Sequence, residues 1–582
     1  MALPPSFSRA LQAYQGGNLR GCLTLLSPQL KSATIDGNCL LLAAQCHVKL
    51  EQKREAAELY VRAADKLPQN KIMLLVMAAR LFVQTKNNAA ALDVARRAAS
   101  IETYNIEAQN TYRRLIRDQL VFDEIEASDK ILVEGMASRD PAFFAVDDPY
   151  EHMLWCADEA INSRQTKMAA GSAFTPQSRL SRRTMSHKFG EKIRIGYLSA
   201  DFSDQHPTMR LFQSVLLGHD QARFDIHLFC HTDIETIGMD QGLRQTYPNL
   251  HGIKDMDDNT ARAYIRSFDL DILVDLKGHT KDVRADLINS GLAPVQVAYL
   301  GFPGSAYGID CDYIVSDPIV TPDSTRPYYH EKLCRLPECY QANDNRYRPL
   351  PSPLSRASLG LPEDAFVLAS FNVSRKVSPN TVRIWARVMM AIPNSILWML
   401  CTGEARRSQL LDFMQRQGIA TDRIYFADAA NYAPHIARLQ AADLGLDTYP
   451  YNGHTTTSDK LWAGLPVITF KGSNFASRVS ESLLTALGAP ELVADDPDAM
   501  VDLAASLARD PARLGAIRQK IADNRFTAPL FDTERFTRHL ERAYELMVER
   551  QKAGLEPDHI DVTALPPRVT PFAPPLIAVH PQ

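Results

Sequence analysis

The sequence predicts a region of helical repeats followed by two α/β units, each built around a parallel sheet. Up to about residue 185 the chain is rich in Ala and Leu, and its apolar residues recur at helical spacing. From residue 186 to about residue 550, short apolar runs alternate with helical stretches, which is typical of a sheet with crossover helices. Polar and basic residues follow several of these runs, at the sheet edge where ligands bind.

The composition is that of ordinary soluble, globular material. The 582 residues are 45% hydrophobic and 23% charged, with a formal net charge of -4, so bulk charge predicts neither a nucleic-acid partner nor a membrane surface. The chain starts without the basic and apolar regions of a signal peptide, and it has no run that predicts a membrane span. The nine cysteines include no CxxC pair, so we expect free thiols, a cytoplasmic protein and no metal site.

A 34-residue period runs through the N-terminal region. The pattern of residues 55–60 returns at 89–94, and Leu67 and Ile101 are 34 residues apart, which is the tetratricopeptide period. We therefore predict about three tetratricopeptide-like helical repeats, with a linker, over residues 1–185. Such an array presents a concave surface to a protein or peptide. A helical bundle without repeats is the alternative.

The first α/β unit is predicted over residues 186–350. Its strands are the apolar runs 192–199, 224–229, 272–276 and 295–300. The loops after these strands hold the candidate ligand-binding residues His206, His279, Gly301, Pro303 and Gly304. His206, between a strand and a helix, suits a general base or an electrophile. The alternatives are a structural hydrogen bond for each histidine and an ordinary tight turn at the glycines.

The second α/β unit is predicted over residues 351–550. Its strands are the runs 365–371, 396–400, 423–426, 441–447 and 467–470. Lys376 follows the first of these strands, a position that suits an ammonium bound to phosphate. A solvated loop lysine is the alternative.

The turn over residues 449–459 joins the fourth strand of this unit to a helix. Gly453 permits a sharp bend, and Thr455 and Thr456 stand at the helix start, where unpaired N–H groups and partial positive charge attract a diphosphate. His454 could stack on a base, and Asp459 could accept from ribose hydroxyls. An ordinary helix cap is the alternative.

The rest of the second unit adds to this interpretation. His435 and Arg438 precede the turn, and together these residues suit a nucleotide diphosphate. No Walker-A or GxGxxG motif is present, which argues against NTPase and nicotinamide-cofactor functions. A helix over 532–552 could brace the first unit, and the Pro-rich residues 551–582 are expected to form a loosely ordered tail.

The order of these motifs resembles the O-linked N-acetylglucosamine transferase family, including its Spindly branch and bacterial relatives. The likeness covers residues 190–548, and the preceding repeats also fit the family. The matching stretches are 194–199 with 206–208, 293–296 with 301–304, 370–372 with Lys376, 393–398, and 452–456 with Asp459, Leu461, Trp462 and Gly464.

The resemblance implies a metal-independent, inverting glycosyltransferase of the GT-B fold, with a nucleotide sugar between two Rossmann-like lobes. It implies no cofactor apart from that donor, which we expect to be UDP-linked. Lys376 would neutralise the diphosphate, and His206 would lie at the reacting centre. The implied donor-binding residues are Ala429, Ala430, His435, Arg438, His454, Thr455, Thr456 and Asp459, and those of the sugar and acceptor cleft are His279, Gly301, Pro303 and Gly304.

The function that follows is transfer of a sugar, GlcNAc from UDP-GlcNAc, to Ser or Thr hydroxyls of proteins that the repeats and the cleft recognise. Three departures leave alternatives open. Val373 stands where the GlcNAc transferases have a polar residue, Tyr432 replaces a lysine near the base, and residues 277–280 are similar to the Spindly branch, which uses GDP-fucose. The alternatives are GDP-fucose or a nonulosonate as donor, transfer to flagellin, an adhesin or Asn, and a scaffold with little activity.

Overall fold

The chain forms two compact units, Met1–Asp148 and Pro149–Gln582. The computed structural model describes residues 5–32, 34–138, 140–170, 174–247, 249–568 and 570–572. The boundary predicted at residue 185 is therefore wrong, because residues 149–185 belong to the second unit. Among the described residues, no helix has both the length and the apolar character needed to cross a membrane.

The first unit is a series of helical hairpins. Gly37 begins one hairpin and Lys71 begins the next, 34 residues later, as the repeat period predicts. The described part of this unit holds four such pairs where about three repeats were predicted. Its helices are α1 (Pro5–Gln15), α2 (Leu19–Leu30), α3 (Gly37–Lys49), α4 (Lys53–Ala64), α5 (Lys71–Gln84), α6 (Asn88–Ala99), α7 (Ile106–Asp118), α8 (Phe122–Ala137) and α9 (Pro141–Ala145).

Small residues line the contacts between these helices. Ala56 and Ala63 of α4 and Ala91 and Ala95 of α6 are fully buried. Because an Ala side chain is short, neighbouring helices approach closely and larger side chains such as Tyr60 fill the space between layers.

Three helices precede the first sheet of the second unit: α10 (Pro149–Met153), α11 (Glu159–Ala170) and α12 (Pro176–Arg183). The linker predicted before residue 185 is wrong at the basic run 178–183, which lies in α12 and contains the buried Arg182 and Arg183. Arg182 is only 4% exposed, and its guanidinium donates to Asp310 at 2.8 Å and to Asp312 at 2.8 Å. This buried ion cluster fixes α12 to the first lobe.

The first lobe is built on an eight-stranded, all-parallel sheet in the order β14-β7-β6-β5-β4-β1-β2-β3. Its strands are β1 (Ile193–Ser199), β2 (Phe224–Cys230), β3 (Leu250–Gly252), β4 (Ile272–Asp275), β5 (Val295–Ala298), β6 (Tyr313–Ser316), β7 (Lys332–Arg335) and, from the end of the chain, β14 (Ile560–Asp561). The strands predicted at β1, β2, β4 and β5 are confirmed. The helices that follow its strands are α13 (Pro207–Gly218), α14 (Ile234–Gly238), α15 (Asp258–Arg266) and α16 (Ala285–Asn289).

The second lobe is built on a six-stranded parallel sheet in the order β10-β9-β8-β11-β12-β13. This is the strand order of a Rossmann fold, with a reversal between β8 and β11. Its strands are β8 (Phe366–Ser370), β9 (Ser395–Leu400), β10 (Ile424–Ala427), β11 (Leu444–Leu446), β12 (Val467–Phe470) and β13 (Val493–Ala494). Its helices are α17 (Pro379–Ala391), α18 (Glu404–Arg416), α19 (Tyr432–Arg438), α20 (Thr455–Ala463), α21 (Phe475–Leu487), α22 (Pro497–Arg509) and α23 (Pro511–Asn524).

The last helix, α24 (Thr533–Lys552), returns to the first lobe, as the sequence suggests. The Tyr197 hydroxyl donates to the Tyr544 hydroxyl at 3.2 Å, and the buried Glu541 carboxylate accepts from the Asp220 N–H at 2.7 Å. The residues after α24 are not a loose tail throughout. β14 pairs with β7, and Arg535 donates to the carbonyl of Leu565 at 2.7 Å, so residues 555–568 are held on the first lobe. The end of the predicted tail, residues 573–582, lies outside the described residues.

Candidate active site

The predicted site residues lie in loops, or in the helices that follow those loops, at the carboxyl edges of the two sheets. In each sheet the strand order reverses at one point, between β1 and β4 in the first lobe and between β8 and β11 in the second. A crevice opens where parallel strands diverge in this way, and ligands of α/β proteins bind there.

An aspartate at the end of β11 organises the turn that leads into α20. The Asp447 Oδ1 atom accepts from the N–H of Thr448 at 2.9 Å and of Gly453 at 2.8 Å, and its Oδ2 atom accepts from Thr469 Oγ1 at 2.9 Å. A Cβ atom at Gly453 would lie 2.5 Å from Thr457 Oγ1. Only glycine therefore fits this turn without displacing the threonines of α20.

The N-terminus of α20 presents free donors. The His454 side chain does not cap the helix, and the first backbone bond into it runs from Ser458 to the His454 carbonyl at 3.0 Å. The N–H groups of Thr455, Thr456 and Thr457 have no partner among the described residues. The Thr455 and Thr456 side chains are partly exposed, and the Thr456 hydroxyl donates to Asn372 Oδ1. An anion placed here meets three N–H groups and the positive end of the helix.

Lys376 lies beside this helix start, in the loop after β8. Its Nζ atom donates to the Asn452 carbonyl at 2.9 Å and lies 4.2 Å from the centre of the Tyr451 ring. Burial lowers the pKa of Lys376 to about 7; the Asp447 charge opposes this shift, and the Lys460 and Arg375 charges add to it. The ammonium form needs a nearby anion that the turn itself does not supply.

His435 and Arg438 pack together against Phe371. The His435 ring meets the Phe371 ring edge-on at 5.5 Å, and the Arg438 guanidinium lies 4.7 Å from the centre of that ring. Burial lowers the pKa of His435 to about 3, so its imidazole is neutral and available for stacking. Ala429 and Ala430 are exposed in the adjacent loop, where Arg438 donates to the Asp428 carbonyl at 2.7 Å.

Asp459 is buried and already has partners. Its Oδ1 atom accepts from the Tyr432 hydroxyl at 2.9 Å and lies 3.7 Å from Arg348 Nη2. Burial raises the pKa of Asp459, while the Arg348 charge acts against that shift. The Tyr432 ring also contacts the first lobe, because the Arg210 guanidinium lies 4.3 Å from its centre.

His454 stacks on a protein side chain in this structure. Its ring is 4.7 Å from the Tyr451 ring with 22° between the planes. Its Nε2 atom is buried without a hydrogen-bond partner among the described residues. Stacking of His454 on a base stays a prediction. A base would have to stack on the face of the His454 ring that Tyr451 does not cover.

His206 caps α13 in the first lobe. Its Nδ1 atom accepts from the Thr208 N–H at 3.3 Å, and its Nε2 atom is 3.5 Å from Asp201 Oδ1. Asp201 also accepts from the Lys277 ammonium at 2.6 Å. Burial lowers the pKa of His206, with Asp201 opposing and Lys277 adding to the shift. The ring is therefore neutral near pH 7, with Nδ1 in use as a helix cap.

The other first-lobe residues have structural contacts. His279 Nε2 donates to the Tyr307 carbonyl at 2.8 Å, and burial lowers the pKa of His279 to about 4. A Cβ atom at Gly301 would lie 2.2 Å from the Leu276 carbonyl oxygen. The glycine is thus required for close packing of two loops, which favours the tight-turn interpretation. Pro303 and Gly304 follow in the same turn, beside Met153.

The structure brings the second-lobe candidates together around the start of α20 and leaves His206 across the cleft on α13. Sequence reasoning missed several residues in this cluster. Lys460 and Arg348 are fully buried cations beside the predicted ribose residue, and Arg210 approaches from the first lobe. In the sequence these three residues look like ordinary exposed charges, so nothing marks them as part of a site. Arg210 is the exception, because it lies one helical turn after His206 and could have been found from that spacing.

Two Rossmann-like lobes whose carboxyl edges meet, with a cationic helix start on the second lobe, define an α/β protein of the GT-B class. The chain belongs to glycosyl transferase family 41, which it matches over residues 160–350 and 352–540.

The similar proteins with curated names are peptide N-acetylglucosaminyltransferases. The chain is 34% identical over 379 residues to the probable UDP-N-acetylglucosamine–peptide N-acetylglucosaminyltransferase SEC of Arabidopsis thaliana, covering 64% of this chain and 39% of the relative. It is 31% identical over 376 residues to the probable transferase SPINDLY of Petunia hybrida, covering 62% and 39%. It is 25% identical over 483 residues to the transferase of Caenorhabditis elegans, covering 64% and 42%. The matched region thus spans well under half the length of these relatives.

A solved structure shares the fold. A mutant O-GlcNAc transferase of Thermobaculum terrenum superposes with a TM-score of 0.66 at 22% identity, covering 94% of this chain and 98% of that one. This likeness supports the architecture of helices followed by two α/β lobes.

Proposed function

We propose that this chain is an inverting glycosyltransferase that transfers GlcNAc from UDP-GlcNAc to Ser or Thr hydroxyls of protein acceptors. The observation that carries the proposal is the convergence of Lys376, the free N–H groups of α20 and the His435–Arg438 pair at one sheet edge. These groups match the diphosphate and the base of a nucleotide. The names of the plant and nematode relatives support the choice of UDP-GlcNAc as donor and a peptide as acceptor.

In this proposal the diphosphate lies on the start of α20. The N–H groups of Thr455 and Thr456 and the ammonium of Lys376 donate to its oxygens, while His435 and Arg438 hold the base beside Ala429 and Ala430. Asp459 accepts from the ribose, either directly or after exchange of its Tyr432 partner. No cofactor beyond the nucleotide sugar is proposed.

The reaction is a single displacement. The acceptor oxygen attacks the anomeric carbon, the bond from that carbon to the diphosphate oxygen breaks, and the diphosphate leaves with the electron pair. Negative charge therefore develops on the leaving oxygen, where fixed N–H groups and the Lys376 ammonium stabilise it. Attack from the face opposite the leaving group inverts the anomeric carbon.

The proton of the acceptor hydroxyl must pass to a base. His206 is the candidate across the cleft, but Nδ1 accepts from Thr208 and Nε2 faces Asp201. His206 can accept a proton only if its ring exchanges one of these contacts when substrates bind. In the alternative role, His206 caps α13 and only orients the acceptor. His206→Ala distinguishes the two roles, because loss of a base lowers turnover, whereas loss of an orienting contact lowers acceptor affinity.

The acceptor is proposed to reach the cleft along the turn that contains Gly301, Pro303 and Gly304, with His279 behind it. The helical hairpins of the first unit would bind other parts of the acceptor protein, since hairpin arrays present extended surfaces for polypeptides.

Titration calorimetry with UDP, GDP and CMP, without added metal, tests the donor. We expect UDP to bind best and Lys376→Met to weaken it roughly 100-fold, since a charge-assisted contact to a diphosphate is lost. Mass spectrometry of peptides incubated with UDP-GlcNAc then tests transfer and the modified residue. Preference for GDP would indicate a fucose donor, and preference for CMP a nonulosonate donor.

One observation favours a second candidate, a scaffold with little activity. Val373, beside the proposed diphosphate site, is an apolar side chain that is 50% exposed, at a position where the family resemblance predicts a polar residue. Binding of none of the three nucleotides, by a folded protein, would support the scaffold and refute the transferase.

A further inference from the structure

Lys460 is a buried cation without a hydrogen-bond partner among the described residues. It lies in the second turn of α20 and is 0% exposed. Its Nζ atom forms no hydrogen bond among the described residues, and no carboxylate of those residues lies within ion-pair distance of it. Burial of a lone ammonium is strongly unfavourable, so a group that satisfies it must be sought outside the protein atoms.

From its place on the helix we expect the Lys460 side chain to run toward the start of α20. Helical side chains lean toward the N-terminus of their helix, and Lys460 follows Thr456 by one turn on the same face. Its stem crosses β11 at a glycine, since a Cβ atom at Gly445 would lie 3.2 Å from Lys460 Cδ. Its charge acts on both Lys376 and His435. The ammonium is therefore close enough to both predicted donor-binding groups for its charge to act on them.

A second unpartnered donor lies in the same region. Asn372 is 1% exposed and follows β8. Its Oδ1 atom accepts from Thr456, whereas its Nδ2 atom is buried without a partner among the described residues. Lys460 Nζ and Asn372 Nδ2 are thus two buried donors without a hydrogen-bond partner among the described residues, and a group rich in acceptors would satisfy both.

The nearby carboxylates do not meet this need. Asp447 uses both oxygens within its own turn, toward Thr448, Gly453 and Thr469. Asp459 uses Oδ1 for the Tyr432 hydroxyl. Both attract the ammonium over a longer distance, which keeps it charged without fixing its position.

We propose that Lys460 is a second phosphate-binding cation of the donor site. With a nucleoside diphosphate on the start of α20, its ammonium donates to a phosphate oxygen from the α20 side, while Lys376 donates from the β8 loop. This inference rests on the proposed function, because it assigns a further residue to the same donor site. Two ammonium groups then match the two negative charges that the diphosphate carries in a nucleotide sugar.

The first test compares nucleosides with and without phosphate. Lys460→Met removes the charge and keeps the apolar stem, and Lys471→Met, at an exposed lysine paired with Asp495, is the matched control. We expect Lys460→Met to weaken the binding of UMP and UDP roughly 10- to 100-fold and to change the affinity for uridine by no more than about twofold. The control should change neither affinity. An unchanged UDP affinity, or an equal loss for uridine, would overturn the proposal.

A second test needs no variant. Burial lowers the pKa of Lys460 to about 8, with Asp447 and Asp459 opposing the shift, and burial lowers the pKa of Lys376 to about 7. A bound phosphate raises both pKa values, so both lysines become fully protonated when UDP binds. At pH 8 the wild-type protein should therefore take up more than one proton per UDP. Calorimetry in two buffers of different ionisation enthalpy measures this number, and uptake of one proton or fewer would refute the role of Lys460. A wild-type protein that binds no nucleotide would instead refute the proposed function itself.

Discussion

The surroundings of Lys376 stabilise its ammonium form only weakly in the absence of a bound anion. Its hydrogen bond to a carbonyl and its contact with the Tyr451 ring offset only part of the cost of burial. The free protein near neutral pH therefore contains both the ammonium and the amine, because the pKa of Lys376 is about 7.

This gives a pH dependence of donor binding. Since binding requires the ammonium, UDP affinity should be full below about pH 7 and should fall by up to about tenfold per pH unit above it. Calorimetric titrations from pH 6.5 to pH 9 measure the slope, and Lys376→Met should make it shallower. An affinity that is constant over this range would contradict the assignment of Lys376 to the diphosphate.

His279 provides a second prediction at the residue scale. Burial lowers the pKa of His279 to about 4, although its hydrogen bond to Tyr307 acts in the opposite direction. The unfolded chain therefore binds this proton near pH 6.5 while the folded chain does not. Stability is full above pH 6.5 and is lost as the pH falls toward 4, by about 1–2 kcal/mol between pH 7 and pH 5.

His279→Gln keeps a donor for the Tyr307 carbonyl and removes the titration. Urea denaturation at pH 7 and pH 5 should show a smaller loss of unfolding free energy for the variant than for the wild type. Equal losses would show that His279 is protonated in the folded protein at pH 5.

At this scale, the sequence predicts the identity of the site residues better than their contacts. Lys376, Thr455 and Thr456 stand directly after strands or at a helix start, and such positions are visible in the chain. The bond from Tyr432 to Asp459 and the burial of Lys460 depend on packing between elements, which no local pattern encodes.

Among the elements, the turn before α20 has the strictest geometry. Asp447 holds its N–H groups, and Gly453 leaves room for the hydroxyls of Thr456 and Thr457. The position of the N–H groups at the start of α20 thus depends on Asp447 and Gly453, which precede the helix.

Gly453→Ala should therefore reduce both donor binding and stability. The new Cβ atom would lie 2.5 Å from Thr457 Oγ1 and 2.7 Å from Thr456 Oγ1, so the start of α20 must shift. We expect UDP affinity to fall more than tenfold and the unfolding free energy to fall by about 1–3 kcal/mol. Calorimetry and chemical denaturation of the same preparation separate the two effects.

Gly515→Ala is the matched control. Gly515 lies within α23, and a Cβ atom there would meet nothing within 4 Å. This change should leave UDP binding intact and raise stability by up to about 1 kcal/mol, because alanine favours a helix. If the two alanine variants bound UDP equally well, the turn would not position the donors.

The elements that the sequence predicts correctly are those with a strong local signal. The central strands of both sheets are covered on both faces, so they appear as continuous apolar runs. By contrast, β3 has three residues and β13 and β14 have two each. Runs of this length carry no readable period, and β14 is recognisable only by its pairing with β7.

For the whole molecule, the division into units is the feature that the sequence misplaces. The basic run at 178–183 reads as a solvated linker because its charges have no partner nearby in the chain. Their partners, Asp310 and Asp312, lie about 130 residues away, and a single sequence gives no sign of such a pairing. The helices of residues 149–183 therefore belong to the second unit, where α12 is tied to the first lobe and α10 and α11 also contact the second lobe.

This organisation predicts the behaviour of two fragments. All the candidate donor-binding residues lie within 149–582, so this fragment should fold and bind UDP within about threefold of the whole chain. A fragment of residues 186–582 begins at the boundary predicted from the sequence and lacks Arg182. Asp310 and Asp312 would then be buried without their main partner, which should cost about 3–5 kcal/mol of unfolding free energy.

Thermal and chemical denaturation of the two fragments test this directly, with UDP calorimetry as the functional measurement. Arg182→Met in the 149–582 fragment removes the same charge without removing the helices, so it should reproduce most of the loss. Replacing both Asp310 and Asp312 with Asn should then recover part of the stability of the Arg182→Met variant, because buried amides cost less than unpaired carboxylates. Equal stability of the 149–582 and 186–582 fragments would show that α10, α11 and α12 are not part of the folding unit of the two lobes.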